Sequence, residues 1–486
     1  MEEERRQYMS QLIHTMISLV RQKNADRLGD LLLRASMDFT HCDLGVFLLF
    51  ENNSLIAFQQ LLRSRNLDLR KKDADAGQIA LYEAAIHLFL KKGTDPIAAN
   101  NLYDLSAPEY ALLKELDSCQ KYQSRSLLFF PLVLTNQERA GALLLINSLD
   151  DRGQPVPFSA EICQEIHDLA DLASVALSNI HYLHDIRLQM NSFVGAMTTA
   201  IDERTPYNGN HSRKIAGYCL AVCDMINEKY ETGEGMEFFD ENRREQLRMG
   251  ALLHDLGKLI TPLEIMNKPT RLSSHQSKIE NRFKLIRAYQ YIDYLEHRQT
   301  EEEYEKEIRY LDASWQLIIE SNLVTQLKVH SIIPLQILAG KVYCRPGGET
   351  LPYLTSHEAE CLMIPYGTLT FQERKIMQEH VILTRKLLRQ VHFTKDYERV
   401  PIFASRHHEF LDGSGYPDHL TGDQLSLEAK ILAVADIYDA LTAADRPYKD
   451  PISREDAFEI LQDMADHGKI DPWLVSLLQE TELPAG

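Results

Sequence analysis

The stretch MGALLHDLGKLITP, residues 249 to 262, sets His254 and Asp255 side by side inside an apolar helical run. Neighbours in sequence point to different faces of a helix, so this pair does not read as a structural ion pair. Two strong ligand types in succession suit two adjacent metal ions, with the carboxylate able to bridge them. Two later stretches carry side chains of the same types: HHEFLDGSGYP (407 to 417) and ILAVADIYDALTAADRPYK (431 to 449). Upstream, in ERTPYNGNHSRKIAGYCLAVC, a Pro/Asn/Gly turn delivers His211 to the start of a helix bearing Ile215, Tyr218 and Val222.

Together these segments resemble the HD-GYP family of metal-dependent cyclic dinucleotide phosphodiesterases, a branch of the HD phosphohydrolases. In that pattern LLHDLGK is followed by kpgkLt-x-x-E-x-x-x-M-x-x-H. Its beginning is at NKPTRL (267 to 272), but the position for its histidine is Phe283. The pattern completes instead at GTLTFQERKIMQEH (367 to 380), which supplies Leu369, Thr370, Glu373, Met377 and His380. Residues 273 to 366 are therefore expected to be an insertion within the metal domain. A helical hairpin should form its core, with Ile279, Phe283 and Ile286 on one arm and Tyr304, Ile308, Leu311, Trp315 and Ile318 on the other. A lid or partner platform and a decorative subdomain are the two readings of this insertion.

The resemblance implies seven metal ligands: His211, His254, Asp255, His380, His407, His408 and Asp436. Asp255 would bridge two ions, with His211, His254 and Asp436 completing one site and His380, His407 and His408 the other. Imidazoles mixed with carboxylates, without thiolates, favour two divalent transition-metal ions, iron, manganese or another borderline first-row metal, over calcium or a structural zinc. Two such ions, roughly 3.5 to 4 Å apart, lower the pKa of a water and stabilise both the attacking and leaving oxygens at phosphorus. Lys258, one turn from Asp255, is expected to neutralise a non-bridging phosphate oxygen. Arg446 and Lys449 resemble the family's second basic clamp.

The substrate implied by the resemblance is cyclic di-GMP, cut to pGpG and on to GMP. Gly413, Gly415, Tyr416 and Pro417 form the loop that the family implicates in protein contacts. Some members of the family hold a third metal through a glutamate where this chain has Tyr207, so two ions are expected, or else Tyr207 meets the substrate. Phe410 and Thr205 also replace family residues, and Arg446 comes one position late. These departures keep two other readings open: a slow or inactive cyclic dinucleotide receptor, and a phosphodiesterase for another dinucleotide such as cyclic GMP-AMP.

Positioning such a site takes a helical scaffold, and residues 201 to 486 read as an all-α, HD-type metal phosphohydrolase domain outside the insertion. Residues 1 to 160 read differently. An amphipathic helix over residues 1 to 35, with Met9, Leu12, Ile13, Met16 and Leu19 on one stripe, precedes two strand pairs. These are LGVFLLFENNSLIAF and SLLFFPLVLTNQERAGALLLINSL, turning at ENNS and TNQER. FFPLVL, GALLLINSLDD and the helix that follows resemble an α+β GAF sensory domain. Such a domain implies either an unidentified small ligand or a dimer contact, and the sequence does not choose between them.

Residues 161 to 200 form the connecting helix. Ile162, Ile166, Leu169, Ala173, Ala176, Ile180 and Leu183 step by four and three, and after Ile186 the register resumes at Met190, Phe193 and Met197. Such a seam predicts a parallel homodimer coil between sensor and output, or one face packed within the chain.

The chain has 486 residues, enough for two or three domains, and a formal charge of 52 minus 71, or −19. So acidic a chain is not built to hold duplex nucleic acid by its backbone. Seven scattered cysteines without a CxxC pair predict reduced thiols. With no apolar run long enough for a membrane span or signal peptide, the expected location is the cytoplasm.

Overall fold

The computed structural model describes residues 2–51, 54–204, 210–345, 348–443 and 452–481. Two compact units divide the chain, Met1–Met190 and Asn191–Gly486. In the first, the expected N-terminal helix is two helices, α1 (Glu2–Val20) and α2 (Ala25–Thr40), broken where Asn24 caps α2 by accepting from the Arg27 N–H. Leu12 and Leu19 are buried, while Ile13 faces solvent.

Both expected strand pairs are present. β1 (Cys42–Glu51) turns into β2 (Ser54–Leu62) with Glu51 opposite Ser54, and short β3 (Leu67–Arg70) follows. Helix α3 (Ala76–Lys92), β4 (Ile97–Asn100) and α4 (Pro108–Gln120) lead to β5 (Ser126–Val133) and β6 (Arg139–Leu149), with short β7 (Pro155–Val156) beside β6. The antiparallel sheet runs β3-β2-β1-β6-β5-β4, because the two hairpins join through the long pairing of β1 with β6.

Alternation along β1 splits the apolar residues between two cores. Leu44, Val46, Leu48 and Phe50 meet Tyr82, Ile86 and Phe89 of α3 and Leu113 of α4. Phe47 and Leu49 face Leu32 of α2 and Ile166, Leu169 and Ala173 of α5 (Ala160–Arg204). Each such aliphatic or aromatic side chain contributes about 1.5–3 kcal/mol on leaving water.

That packing changes the reading of the connecting helix. Ile166, Leu169, Ala173 and Ala176 are buried against their own sheet, so the first half of the seam is spent within the chain. Leu183, Ile186 and Phe193 stand more than half exposed, and only this part of the stripe faces outward.

The second unit is helical. It begins with the end of α5 and continues through α6 (His211–Glu231), α7 (Glu241–Leu253) and short α8 (Leu263–Met266). Next come α9 (His275–Leu295), α10 (Glu301–Leu323), α11 (Val329–Gly340), a two-stranded hairpin of β8 (Val342–Cys344) and β9 (Thr350–Pro352), and α12 (Ser356–Leu362). These elements share a core in which Ile279, Phe283 and Ile286 meet Leu311, Trp315 and Ile318, together with Tyr343 and Tyr353, which the hairpin expectation did not include. The acidic run at 301 to 303 is a helix start: Glu303 closes a capping box with Thr300, and carboxylates in a first turn suit the helix dipole.

The two ends of this stretch meet. Lys268 places its ammonium 2.8 Å from Glu373, and the Thr368 hydroxyl donates to the Lys268 carbonyl. The rest of the unit is α13 (Phe371–Leu388), α14 (Val400–Ala404), α15 (Leu427–Thr442), α16 (Arg454–Asp466) and α17 (Pro472–Glu480). All seven cysteines are free thiols, and among the described residues no helix is long and apolar enough to cross a membrane.

Candidate metal centre

Helix α7 ends at Leu253, and the backbone leaves helical geometry at Asp255 before a short 3-10 turn over Leu256–Leu259. This break lets His254 and Asp255 face one centre although they are adjacent in sequence. Gly257 sits where the turn meets α13, and a Cβ there would lie 1.9 Å from the His380 carbonyl oxygen. Thr384, one turn beyond His380, locks the approach: its hydroxyl accepts from the Gly257 N–H at 2.8 Å and donates to the His254 carbonyl at 3.0 Å. Helix α13 is fixed at its other end by Thr370 and Glu373, which form a capping box. Two of the motif residues around His380 therefore hold its helix in place.

His211 opens α6, His407 and His408 follow α14, and Asp436 lies on the buried face of α15. The structure brings all seven side chains to one place. Ligand atoms of His211, His254 and Asp436 lie within 4.8 Å of one another, as do those of His380, His407 and His408; a third set, His254, Asp255 and His407, joins them. Asp255 turns one oxygen to each trio: Oδ2 is 3.3 Å from His254 Nε2 and 3.7 Å from His211 Nε2, and Oδ1 is 3.4 Å from His380 Nε2. Asp436 lies 3.5 Å from His211 Nε2 and 3.8 Å from His408 Nδ1.

The imidazoles are oriented from behind. His254, His380 and His407 each place Nδ1 on the carbonyl three residues earlier, of Ala251 (2.7 Å), Met377 (2.6 Å) and Ala404 (2.9 Å). His211 Nδ1 meets the Asp439 carboxylate at 2.5 Å. With Nδ1 occupied, Nε2 is the nitrogen left to bind a cation, the arrangement that fixes tautomer and ring angle in metal sites.

The decisive observation concerns buried polar atoms that lack a hydrogen-bond partner. His254 Nε2, His380 Nε2, His407 Nε2 and Asp255 Oδ1 are buried and have no hydrogen-bond partner among the described residues. Each unsatisfied buried polar atom costs about 1–3 kcal/mol, so four converging on one point make sense only around a ligand. The donor set, imidazole and carboxylate, fits divalent metal ions.

Protonation states of the His380-His407-His408 trio agree, whereas His254 must give up a proton to bind an ion. Burial, and then the His408 imidazole, hold His407 well below the usual histidine range; burial and His380 do the same to His408, and burial lowers His380. These rings are neutral, as ligands must be. Burial would also lower His254, but Asp255 outweighs it and raises the imidazole to about 9. Burial pushes the Asp255 carboxyl up, yet His254 and Lys258 win and keep it far below the carboxylate range. Lys258, expected to neutralise a non-bridging phosphate oxygen, pairs with Asp255 Oδ2 at 2.5 Å.

Glu409 shapes the loop beside the trio of histidines. Its buried carboxylate accepts from the Asp418 and Leu420 N–H groups at 2.7 and 2.9 Å. A Cβ on Gly415 would lie 2.3 Å from the Phe410 nitrogen, so only glycine lets the loop fold back. The Tyr416 ring then lies against His408 with centroids 4.8 Å apart.

Two stretches, residues 208–327 and 357–474, match the HD domain. The second unit is an HD-domain unit. Residues of this chain are 43% identical over 120 positions to a 3'3'-cGAMP-specific phosphodiesterase 2 of Vibrio cholerae serotype O1, covering 24% of this chain and 21% of that protein. They are 38% identical over 120 positions to the cyclic di-GMP phosphodiesterase response regulator RpfG of Xanthomonas campestris pv. campestris, covering 24% and 31%. The matched stretch thus spans under a third of either relative. The α+β unit is similar to the PixJ GAF domain of Thermosynechococcus elongatus at 15% identity, covering 35% of this chain and 93% of that one, with a TM-score of 0.24.

Sequence reasoning missed Asp439, Thr384 and Glu409 as positioning residues of the HD-domain unit. Asp439 had a signal: it falls three residues after Asp436 on the same apolar helix, where a second buried carboxylate needs a partner. Thr384 had none, since its role exists only once α13 is docked. Tyr207, Thr205, Arg446 and Lys449 lie outside the described residues.

Proposed function

We propose that the HD-domain unit is a binuclear metal phosphodiesterase that hydrolyses cyclic di-GMP to pGpG, and on to GMP, under control of the α+β unit. The observation that carries this reading is the orphaned set of His254, His380, His407 and Asp255 between two ligand trios. When bound, a pair of iron or manganese ions supplies charge stabilisation and a water of lowered pKa for attack at phosphorus. His211, His254 and Asp436 would hold the first ion, His380, His407 and His408 would hold the second, and the Asp255 carboxylate would serve both. The chain's own groups do the rest. Lys258 exchanges Asp255 for a non-bridging phosphate oxygen as substrate enters, and Arg446, Lys449 and Tyr207 bind the remainder of the dinucleotide.

The test is to load purified protein with manganese or iron, incubate it with cyclic di-GMP and resolve the products, using Asp255→Ala as control. pGpG from wild type alone sustains the reading; tight binding without turnover makes the protein a receptor. A second substrate has its own support. The 43% identical relative is named for 3'3'-cGAMP, so cyclic GMP-AMP belongs in the same assay.

As partners we propose a second copy along the exposed half of α5, a small ligand in the α+β unit and a protein at the Gly413–Pro417 loop. The stretch from 273 to 366 is a lid or platform added to the metal domain.

A further inference from the structure

Helix α11, VHSIIPLQILAG, carries no Asp, Glu, Lys or Arg along its whole length. One face is used inside the core of the 273 to 366 stretch, where Leu335 and Leu338 are buried. The opposite face is just as apolar and lies open. Val329, Ile333 and Ile337, spaced by four on one ridge, are 82%, 65% and 62% exposed. Leu323 at the end of α10 and Val342 at the start of β8 flank the helix in sequence, both more than half exposed. A helix that is apolar on every side belongs in an interior, so a face this open calls for an occupant.

Chemistry narrows what that occupant is. A helix lying on a membrane surface pairs its apolar face with a polar one rich in Lys and Arg. Helix α11 has no such face, and of its two flanking lysines Lys341 is already paired with Glu307. The chain's formal charge of −19 also opposes an anionic bilayer. A partner bringing charge would bury it against a surface that offers nothing to pair with it. An uncharged ridge, by contrast, meets its own copy without repulsion, and the centres of stable contacts are poor in charge. Side chains spaced by four form the ridges that interlock in the commonest class of helix pair. An antiparallel pair about a two-fold axis also sets the positive start of each helix beside the negative end of the other.

The area suffices. Five side chains, each with on the order of 100 Å² of apolar surface, give roughly 500 Å² per copy and about 1,000 Å² across a pair, the size from which a specific contact holds.

We propose that α11 packs on the α11 of a second copy of this chain, ridge to ridge and antiparallel. This rests on the platform reading of residues 273 to 366 and names what the platform holds. It uses no property of the metal centre and is a contact separate from any along α5.

The experiment is sedimentation velocity of the full chain at micromolar concentrations, in a background of Leu183→Glu and Ile186→Glu that removes pairing along α5. This background should still form dimers. Adding Ile333→Glu should weaken them by about 100-fold or more, because the two-fold brings an unpaired carboxylate into the contact twice. The melting midpoint and the manganese stoichiometry should not move. Ile333→Leu, which keeps the ridge apolar, should dimerise as the background does.

A monomeric background, or dimers indifferent to both Ile333→Glu and Ile337→Glu, overturns the inference; Ile337→Glu also stands in if Ile333→Glu does not fold. Binding of the background to phosphatidylcholine–phosphatidylglycerol vesicles, abolished by Ile333→Glu while no dimer forms, would give the face to a lipid surface instead. Failure to bind manganese or to cleave a dinucleotide bears on the metal reading alone and leaves this contact standing.

Discussion

Replacing Gly257 by alanine tests whether the approach of α13 to the His254-Asp255 turn sets the geometry of the centre. The new Cβ would lie 1.9 Å from the His380 carbonyl oxygen, 2.7 Å from its carbon and 2.8 Å from the Thr384 nitrogen. All three are backbone atoms, so no side chain can swing aside. Relieving the closest contact requires roughly 1 Å of separation between the turn and α13, and overpacking of this kind costs about 1–3 kcal/mol. The same movement lengthens the 2.8 Å bond from Gly257 to Thr384 and the 3.4 Å gap between His380 Nε2 and Asp255 Oδ1. Misplacement by about 1 Å costs on the order of 100-fold in turnover. The assay pairs thermal melting with manganese stoichiometry and, where pGpG forms, its rate of formation. Gly257→Ala should melt several degrees lower and bind the ions more weakly. Wild-type melting with full stoichiometry would show that the close approach is not what holds the centre together.

Asp439→Asn keeps the size of the side chain but removes the charge behind His211 Nδ1, 2.5 Å away; metal affinity should fall by about 10- to 100-fold, and an unchanged manganese titration would leave Asp439 no role. Removing metal with a chelator should lower the melting midpoint of the second unit, because an ion present at about 100 times its Kd stabilises by about 2.7 kcal/mol; equal midpoints with and without chelator would refute a built site. Glu358 has a lowered pKa because, against the pull of burial, Arg282 and the Thr355 cap bond its charged form. A depressed carboxyl stabilises the fold above its unfolded pKa, near 4.5, and loses that contribution as pH falls below it. Glu358→Gln should therefore flatten the acid side of the stability profile, and a parallel profile would contradict the assignment.

What could be read from the sequence divides by range. The two hairpins were legible because ENNS and TNQER interrupt β-rich runs with short-range turn chemistry, and the amphipathic arms of α9 and α10 were legible from Phe283, Trp315 and Ile318 at helical spacing. The ligand types were legible at 254 and 255, where no packing reason explains a histidine beside an aspartate. Three things needed the fold. Thr384 and Gly257 are ordinary until the turn and α13 are in contact. The pairing of Lys258 with Asp255 could not be seen in advance, because a spacing of three residues does not reveal which way the two side chains will point. The α5 stripe read as one continuous seam because periodicity cannot tell a partner helix from the chain's own sheet; Ile166 and Leu183 obey the same spacing, yet one is buried and the other exposed.

The stretch between NKPTRL and GTLTFQER poses a physical question of its own, since ligand segments separated by so much chain must still close accurately. The answer lies at its base. Lys268 and Glu373 pair at 2.8 Å across the junction, and the Thr368 hydroxyl returns to the Lys268 carbonyl. Glu373 is also the residue that closes the capping box of α13, so one carboxylate both starts the helix carrying His380 and fastens it to the chain leaving the His254-Asp255 turn. Just beyond, the buried Arg271 donates to the Ser321 and Val324 carbonyls at the end of α10, at 2.5 and 2.6 Å. The intervening helices fill a core of their own, with Ile279, Phe283, Leu311 and Tyr353 turned toward one another. Closure of the metal centre thus depends on a few short bonds at the neck, and the long excursion adds little to it, because entropy of loop closure grows only logarithmically with length. Cutting residues 273 to 366 and joining the ends with a short linker should then leave both ions bound while changing turnover or substrate choice. Loss of the ions in a folded deletion variant would mean that the excursion holds the centre in place.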